Sequence, residues 1–413
     1  MVRALPEVQG IVGSYLRLGL AIGRHIDGFV DAYYGPAEFA RLAEAEGPRP
    51  PQALEAEARE LLAALDSGVP LGEPGEDTSG ESPARRRFLR AQVLGLLTSA
   101  RLLGGAQIGY ADEVEACYGV RPQRVPEELI LAAHKNLEEV VPGSGPLAAR
   151  YIAWRESQAV PPERLEAAIA SLAEDLRERT ARAFGLPEGE SVEFVLVERQ
   201  PWSGFNYYLG NLRSRVAINV DLPVLSTSLA HLVAHEAYPG HHTEHSRKEV
   251  GLVRRRRFLE ESIFLVGTPQ CLIAEGLADL GLEVVMGRRP EALVAEHLRP
   301  LGIAYDPDTV AVVAVAGEAL AAVRANAAFR LHEDGAEPEV VIAEVARLGL
   351  LPPERAKKSV EFLLDPTWRS YISCYVEGLP LCRRYVDGKP ERFERLITEQ
   401  CVPADLGATT TAA

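Results

Sequence analysis

Apolar residues recur at three- and four-residue spacing through most of the chain, the period of helices that bury one face. Residues 51–65 show the pattern plainly: Leu54, Ala58, Leu61, Leu62 and Leu65 share a face, with acids on the other. Ala, Leu, Glu and Arg, all good helix formers, dominate such stretches. Near residue 190 the period changes. Residues 192–197 and 214–220 are rich in β-branched side chains and bounded by turn formers, so both are predicted strands, with a third at 205–209. Helical pattern resumes at Ser226 and runs to about Ile397. The expected fold is mainly α-helical with a small β-sheet. It divides into a helical N-terminal region (1–190), a region (191–402) holding the sheet at 191–220 and a helical remainder, and a flexible tail (403–413). Polar, Gly- and Pro-rich stretches at 68–83 and 141–146 break the helices, and no repeat of fixed period is present.

Composition narrows the partners. With 59 acidic against 44 basic side chains, a formal charge of −15, the chain is a poor match to nucleic acid, whose phosphates need a basic surface. The most apolar stretch, 309–323, is interrupted by Gly317 and Glu318 and is too short for a bilayer, so no membrane partner is expected. Pro6, Glu7 and Gln9 interrupt the start where a secretory signal needs an unbroken apolar run. The five cysteines are odd in number and form no C-x-x-C pair, a pattern of free thiols in a reducing compartment. A cytoplasmic globular protein is the expectation.

Of nine histidines, five lie in HLVAHEAYPGHHTEH, residues 231–245. A helix start signal at Ser226 or Thr227 and a stripe of Leu229, Leu232 and Val233 put His231 and His235 on one helical face, with Glu236 directly after. A helix that supplies His-Glu and then a second His is how zinc hydrolases gather two ligands and a general base. In H-E-x-x-H the histidines are four apart, but the position four after His235 is Pro239. On an unbroken helix His241 points about 120° away from His235. Pro239 removes one helical hydrogen bond and Gly240 admits unusual backbone angles, so a deformed turn there brings His241 back; His242 is the substitute. His231 with His235 and His241 with His245 also have metal spacing, and a lesser alternative makes these histidines caps or core hydrogen-bonders. The third ligand is expected from 271–285, where Glu275 sits among Leu272, Ile273, Leu277 and Leu280 with Asp279 one turn on. A buried acid is costly unless paired or bound to metal; the alternative is a solvated edge of Glu275, Asp279 and Glu283.

HEAYPGHH followed some forty residues later by AEGLADLG resembles the bacterial family called domain of unknown function 885, with its H-E-x-x-P-G-H-H and downstream E-G-W-A-x-Y. The likeness extends more weakly over 202–378, and FVDAYYGP at 29–36 looks like a further family element. The resemblance implies a gluzincin-type metallopeptidase in which His235, His241 and Glu275 bind zinc and Glu236 is catalytic. Asp279 and His242 stand as alternate or supporting groups. Leu277 and Leu280 replace the family's two aromatic positions and leave its substrate pocket undefined here. Likeness in AAFRLHEDG and in Tyr371–Gly378 points to His332 and Tyr375 as oxyanion partners.

Arg213 and Arg215, ahead of the strand at 216–220, are candidates for a substrate carboxylate, and that strand for pairing with an extended peptide. The function expected is a Zn²⁺-dependent hydrolase of short peptides, with another divalent metal compatible with the same ligands. An ester or small-amide hydrolase, or a binding protein that keeps the fold without catalysis, stays open. Glu236→Gln separates these last two classes, since it stops turnover only in an enzyme.

Overall fold

The computed structural model describes residues 10–71, 82–200 and 202–408. Among the described residues eight α-helices open on a proline, whose fixed φ suits the first turn and whose missing N–H is not needed there. In chain order the first part holds α1 (Gly10–Ile22), β1 (Val30–Tyr33), α2 (Ala37–Glu46), α3 (Pro51–Asp66), α4 (Pro83–Leu103), α5 (Tyr110–Tyr118), α6 (Glu127–Val140), α7 (Leu147–Ser157) and α8 (Pro162–Phe184). Then come β2 (Ser191–Val197), β3 (Gly204–Tyr208), β4 (Arg213–Asn219), α9 (Ser226–Glu236), α10 (His241–Lys248) and β5 (Ile263–Leu265). The rest is α11 (Pro269–Met286), α12 (Glu291–Leu298), α13 (Pro307–His332), α14 (Pro338–Leu348), α15 (Pro353–Leu364), α16 (Ile372–Val386) and α17 (Pro390–Thr398). The fold is mainly α-helical with small β-sheets, as the hydrophobic periods predict.

The three predicted strands form one sheet in the order β2-β4-β3. β4 is its middle strand, parallel to β2 and antiparallel to β3. Both edges of β4 are thus filled, which overturns the expectation that the strand at 216–220 receives a peptide; β3 is an outer strand instead. A second, two-stranded sheet pairs β1 with β5. Neither strand was expected, because three or four residues are too few for alternation to show. Val30 pairs with Leu265 and Ala32 with Phe264, so Asp31 is the extra residue of a β-bulge.

α11 is apolar nearly all round and lies at the centre, as such a helix must. Its Leu272, Ile273, Leu277 and Leu280 pack with residues of α5, α13, α14, α15, α16 and α17. A second cluster joins α1, α3 and α4 to Ile263 and Leu265 of β5, and a third joins α8 to β4, α9 and α12. Both draw on residues from either side of position 190. α11 and α16 cross with main chain against main chain. A Cβ on Gly276 would lie 2.3 Å from the Gly378 carbonyl oxygen, and one on Gly378 2.7 Å from that of Leu272, so only glycine permits the approach.

Two further expectations change. α13 spans 26 residues and by length and composition alone is long and apolar enough to cross a bilayer, so the reading of 309–323 as too short is corrected; Val310, Val323, Ala327 and Phe329 of this helix are buried in the protein. The tail does not fray at 403: Pro403–Leu406 form a 3₁₀ turn with Pro403 and Leu406 buried. Residues 1–9, on which the signal-sequence reading rests, most of the 68–83 linker and residues 409–413 lie outside the described residues. All five cysteines are free and buried.

Candidate metal centre

α9 begins at Ser226, where its start signal lies, but the Ser226 hydroxyl donates to the Ala304 carbonyl at 3.1 Å and does not cap the helix. Leu229 and Val233 bury one face of α9, and the helix ends at Glu236. The chain then folds back on itself. The Gly240 N–H donates to the Ala234 carbonyl at 2.9 Å and the Thr243 N–H to that of Ala237 at 3.2 Å. A Cβ at residue 240 would sit 1.9 Å from the His235 carbonyl oxygen, so this reversal requires glycine. α10 starts at His241, whose Nε2 lies 3.1 Å from His235 Nε2. The turn at Pro239-Gly240 is deformed as its residues predict, and it is His241 that it brings to His235.

α11 completes the set. Glu275 Oε2 is 3.4 Å from His235 Nε2, and Glu275 Oε1 is 3.6 Å from His241 Nε2. One donor atom from each of the three residues falls within 4.8 Å of the others. Glu275 is buried, and its Oε2 has no hydrogen-bond partner among the described residues. Leaving such an oxygen unmet is expensive, and two imidazoles with one carboxylate are a zinc donor set. Asp279 Oδ1 lies 2.8 Å from His235 Nδ1. Once His235 donates there, its Nε2 lone pair is turned toward His241 and Glu275. His231, His235 and Asp279 also lie close enough to hold a metal, with His231 Nε2 3.4 Å from Asp279. That set competes for Asp279, which already orients His235; the His235–His241–Glu275 set uses the nitrogen this bond leaves free.

Charge in the centre is crowded. Burial works to lower the His235 pKa, but Asp279 and Glu275 outweigh it and hold it well above the ordinary value. Burial and the charge on His235 push His241 down to about 4. Glu236 rises to about 7, through burial first and then the charges of Glu275 and Asp279. Asp31, the bulge residue of β1, rises to about 8 through burial and the charges of Glu275 and Glu236. Four carboxylates, those of Asp31, Glu236, Glu275 and Asp279, thus repel one another in one place. A divalent cation offsets that repulsion, so the residues present fit the ion the sequence implies.

Glu236 is buried against β3: a Cβ on Gly204 would lie 3.2 Å from Glu236 Oε1, and Asn206 Nδ2 donates to the Glu236 carbonyl at 2.6 Å. Tyr375 reaches the centre through Tyr371. Its hydroxyl donates to Tyr371 Oη at 3.5 Å, and the Tyr371 hydroxyl donates to Glu275 Oε1 at 3.0 Å. Other predicted residues are elsewhere. His332 Nε2 bonds the Leu363 carbonyl at 2.7 Å and its ring stacks on Tyr110, so it is a packing group and not an oxyanion partner. Arg213 and Arg215 occupy the exposed face of β4, opposite buried Ser214 and Val216, with Arg215 paired to Glu193 at 3.0 Å; they do not face the centre. His242 is wholly buried between Ser214 and Glu190 and is not brought to His235 and Glu275.

Sequence reasoning missed Tyr371, Asp31 and Asn206. Tyr371 lies one helical turn before Tyr375 in the same motif, and Asp31 lies inside FVDAYYGP, so a signal existed for both.

No family model matches the chain, and no curated protein matches it. Two solved structures are similar. One is described as a putative lipoprotein from Colwellia psychrerythraea: 15% identity, 89% of this chain and 71% of that one covered, TM-score 0.49. The other is described as a putative lipoprotein of unknown function from Shewanella oneidensis: 13% identity, 96% and 82% covered, TM-score 0.45.

Proposed function

We propose that the chain is a zinc-dependent hydrolase of short peptides, in keeping with the family its HEAYPGHH and AEGLADLG motifs resemble. One observation carries the reading: His235, His241 and the unmet oxygen of buried Glu275 converge, with Glu236 beside them. His235, His241 and Glu275 would hold the metal. Zinc, when bound, supplies an acidified water and polarises a carbonyl. Glu236 takes the proton of the attacking water and passes it to the leaving amine, a task suited to a carboxyl whose pKa is about 7. Asp279 keeps His235 in the tautomer that offers Nε2. Tyr371 and Tyr375 supply hydroxyl donors beside the centre, where negative charge develops on the carbonyl oxygen. The two imidazoles are only 11% and 12% exposed, which favours a short, flexible substrate over a folded protein.

The test is elemental analysis of untagged protein with His235→Ala and Glu275→Ala beside it. About one zinc per chain, absent from both variants, is expected. Glu236→Gln should keep the metal and lose peptide turnover by about 10²–10⁴-fold. Native protein that neither carries nor takes up a divalent metal would overturn the proposal.

A further inference from the structure

A cavity of about 100 Å³ lies apart from the metal centre, on the seam between two of the apolar clusters. Phe29 on its lining belongs to the cluster of α1, α3 and α4, whereas Cys117 and Tyr118 belong to the cluster around α11. Its walls are mostly apolar: Ile26, Phe29, Leu102, Leu103, Val266 and Trp368. They are also fixed. The Val266 N–H donates to the Phe29 carbonyl at 3.0 Å, and Trp368 stacks on Phe362 with ring centroids 6.4 Å apart. A Cβ on Gly28 would lie 3.2 Å from the Trp368 ring, and one on Gly267 2.9 Å from that of Phe29, so both rings rest against main chain. Ser99, Cys117 and Gly267 are small residues on the lining, where a longer side chain would fill the space. An unfilled apolar cavity costs stability in proportion to its volume, a cost that an occupant offsets.

None of His235, Glu236, His241 and Glu275 lines this space. The contacts that lead from it to the centre pass through two rings. Trp368 meets Tyr371 edge-on with centroids 5.7 Å apart, and the Tyr371 hydroxyl donates to Glu275 Oε1 at 3.0 Å. Charge on the lining is cancelled or absent. Glu113 is its one carboxylate, and Arg369 Nε donates to that group at 2.7 Å. Burial, and then the Glu113 charge, push the Cys117 thiol well above its ordinary pKa and keep it neutral. Tyr118, Thr367 and Ser370 add hydroxyls, and exposed Pro366 with half-buried Thr367 carries the lining to the surface. About 100 Å³ with one open side is room for a single six-membered ring. We propose that this cavity is a second ligand site, which binds a small uncharged aromatic molecule of phenol size. Its ring lies against Phe29 and Trp368, and its hydroxyl turns toward those of the lining. A charged ring of the same shape is rejected, because no counter-charge is left to meet it. The site stands independently of the hydrolase reading.

The experiment titrates full-length protein with phenol and with benzoate by calorimetry, in the native chain and in Cys117→Leu, Thr367→Phe and His241→Phe. Phenol should bind the native chain with a Kd of about 1 mM or below. Benzoate should bind at least about tenfold more weakly, since its charge finds no partner. Cys117→Leu fills the cavity and should weaken phenol at least about tenfold while leaving the zinc content unchanged. Thr367→Phe closes the open side from a half-buried position and should do the same, so the test stands even where Cys117→Leu fails to fold. His241→Phe should bind phenol as the native chain does. Absence of phenol binding up to about 10 mM would overturn the proposal. So would equal binding of benzoate, or phenol binding that survives both filling variants. Phenol binding lost with His241→Phe would also overturn it and assign the molecule to the metal centre. Native protein that carries no zinc but keeps the phenol preference and its loss on filling would remove the hydrolase reading and leave this site in place.

Discussion

His241 and His242 are neighbours in the chain, yet one meets His235 and Glu275 while the other meets Glu190. The His242 ring has Nδ1 2.8 Å from Ser214 Oγ and Nε2 2.9 Å from Glu190 Oε2. Glu190 also accepts from the Tyr238 hydroxyl and from Arg177 Nε, both at 2.7 Å. Each ring nitrogen and each carboxylate oxygen in that group has a partner. In the neighbouring group two ring nitrogens face one another, and an oxygen of Glu275 is left unmet. Both are buried groups that set histidine beside glutamate. The presence of buried histidine beside glutamate therefore does not distinguish the two groups; converging donor atoms with an unmet oxygen among them do.

The sharpest way to break this comparison is to remove one histidine from each side. His241→Phe should abolish stoichiometric zinc and leave the protein folded. His242→Phe should keep zinc but cost about 1–3 kcal/mol in urea denaturation, since it removes one of the three partners of the buried Glu190 carboxylate and leaves the Ser214 hydroxyl without its imidazole. Loss of zinc from the second variant would mean that the two clusters are one site. A smaller effect is expected where the groups nearly touch. Asp279→Asn keeps the three ligands but loosens the orientation of His235, so zinc should bind about 10–100-fold more weakly in competition with a chelator. Unchanged affinity would demote Asp279 to a bystander.

The smallest effect is one of acidity. Burial raises the Glu190 pKa, but hydrogen bonds from His242, Tyr238 and Arg177 prevail and hold it near 2, against 4.5 ordinarily. A carboxyl with a depressed folded-state pKa stabilises the fold above about pH 4.5 and loses that contribution as pH falls toward 2. Arg177 is half exposed and screened, so about 1–2 kcal/mol is at stake. Melting temperatures between pH 5 and 2.5 should fall less steeply in Glu190→Gln than in the native chain. Parallel curves would show that the closed cluster does not titrate as argued.

Much of the centre was legible because its proposed ligands lie close in sequence or on a strongly patterned helix. His235, Glu236 and His241 share one segment, and the Pro-Gly pair between them announces a deformed turn. Glu275 is conspicuous as an acid inside the apolar helix α11. What stayed hidden depends on the meeting of distant segments. Tyr371 touches Glu275 across 96 positions. Asp31 needed the pairing of β1 with β5 and its bulge. Strand order is equally non-local: consecutive strands are separated because β4 inserts between β2 and β3. Arg213 and Arg215 looked like anion binders by type, but the two-residue period of β4 turns both outward while Ser214 faces His242.

The crossing of Gly276 and Gly378 bears on how this protein can change over generations. Glu275 and Tyr371 belong to, or adjoin, two helices separated at that point by main chain alone. Their spacing is then indifferent to which aliphatic side chains fill the surrounding interior. A lineage can exchange leucine for isoleucine or valine around α11 and shift its melting point, while the interval between ligand and hydroxyl is inherited intact. Only the two glycines are denied that latitude.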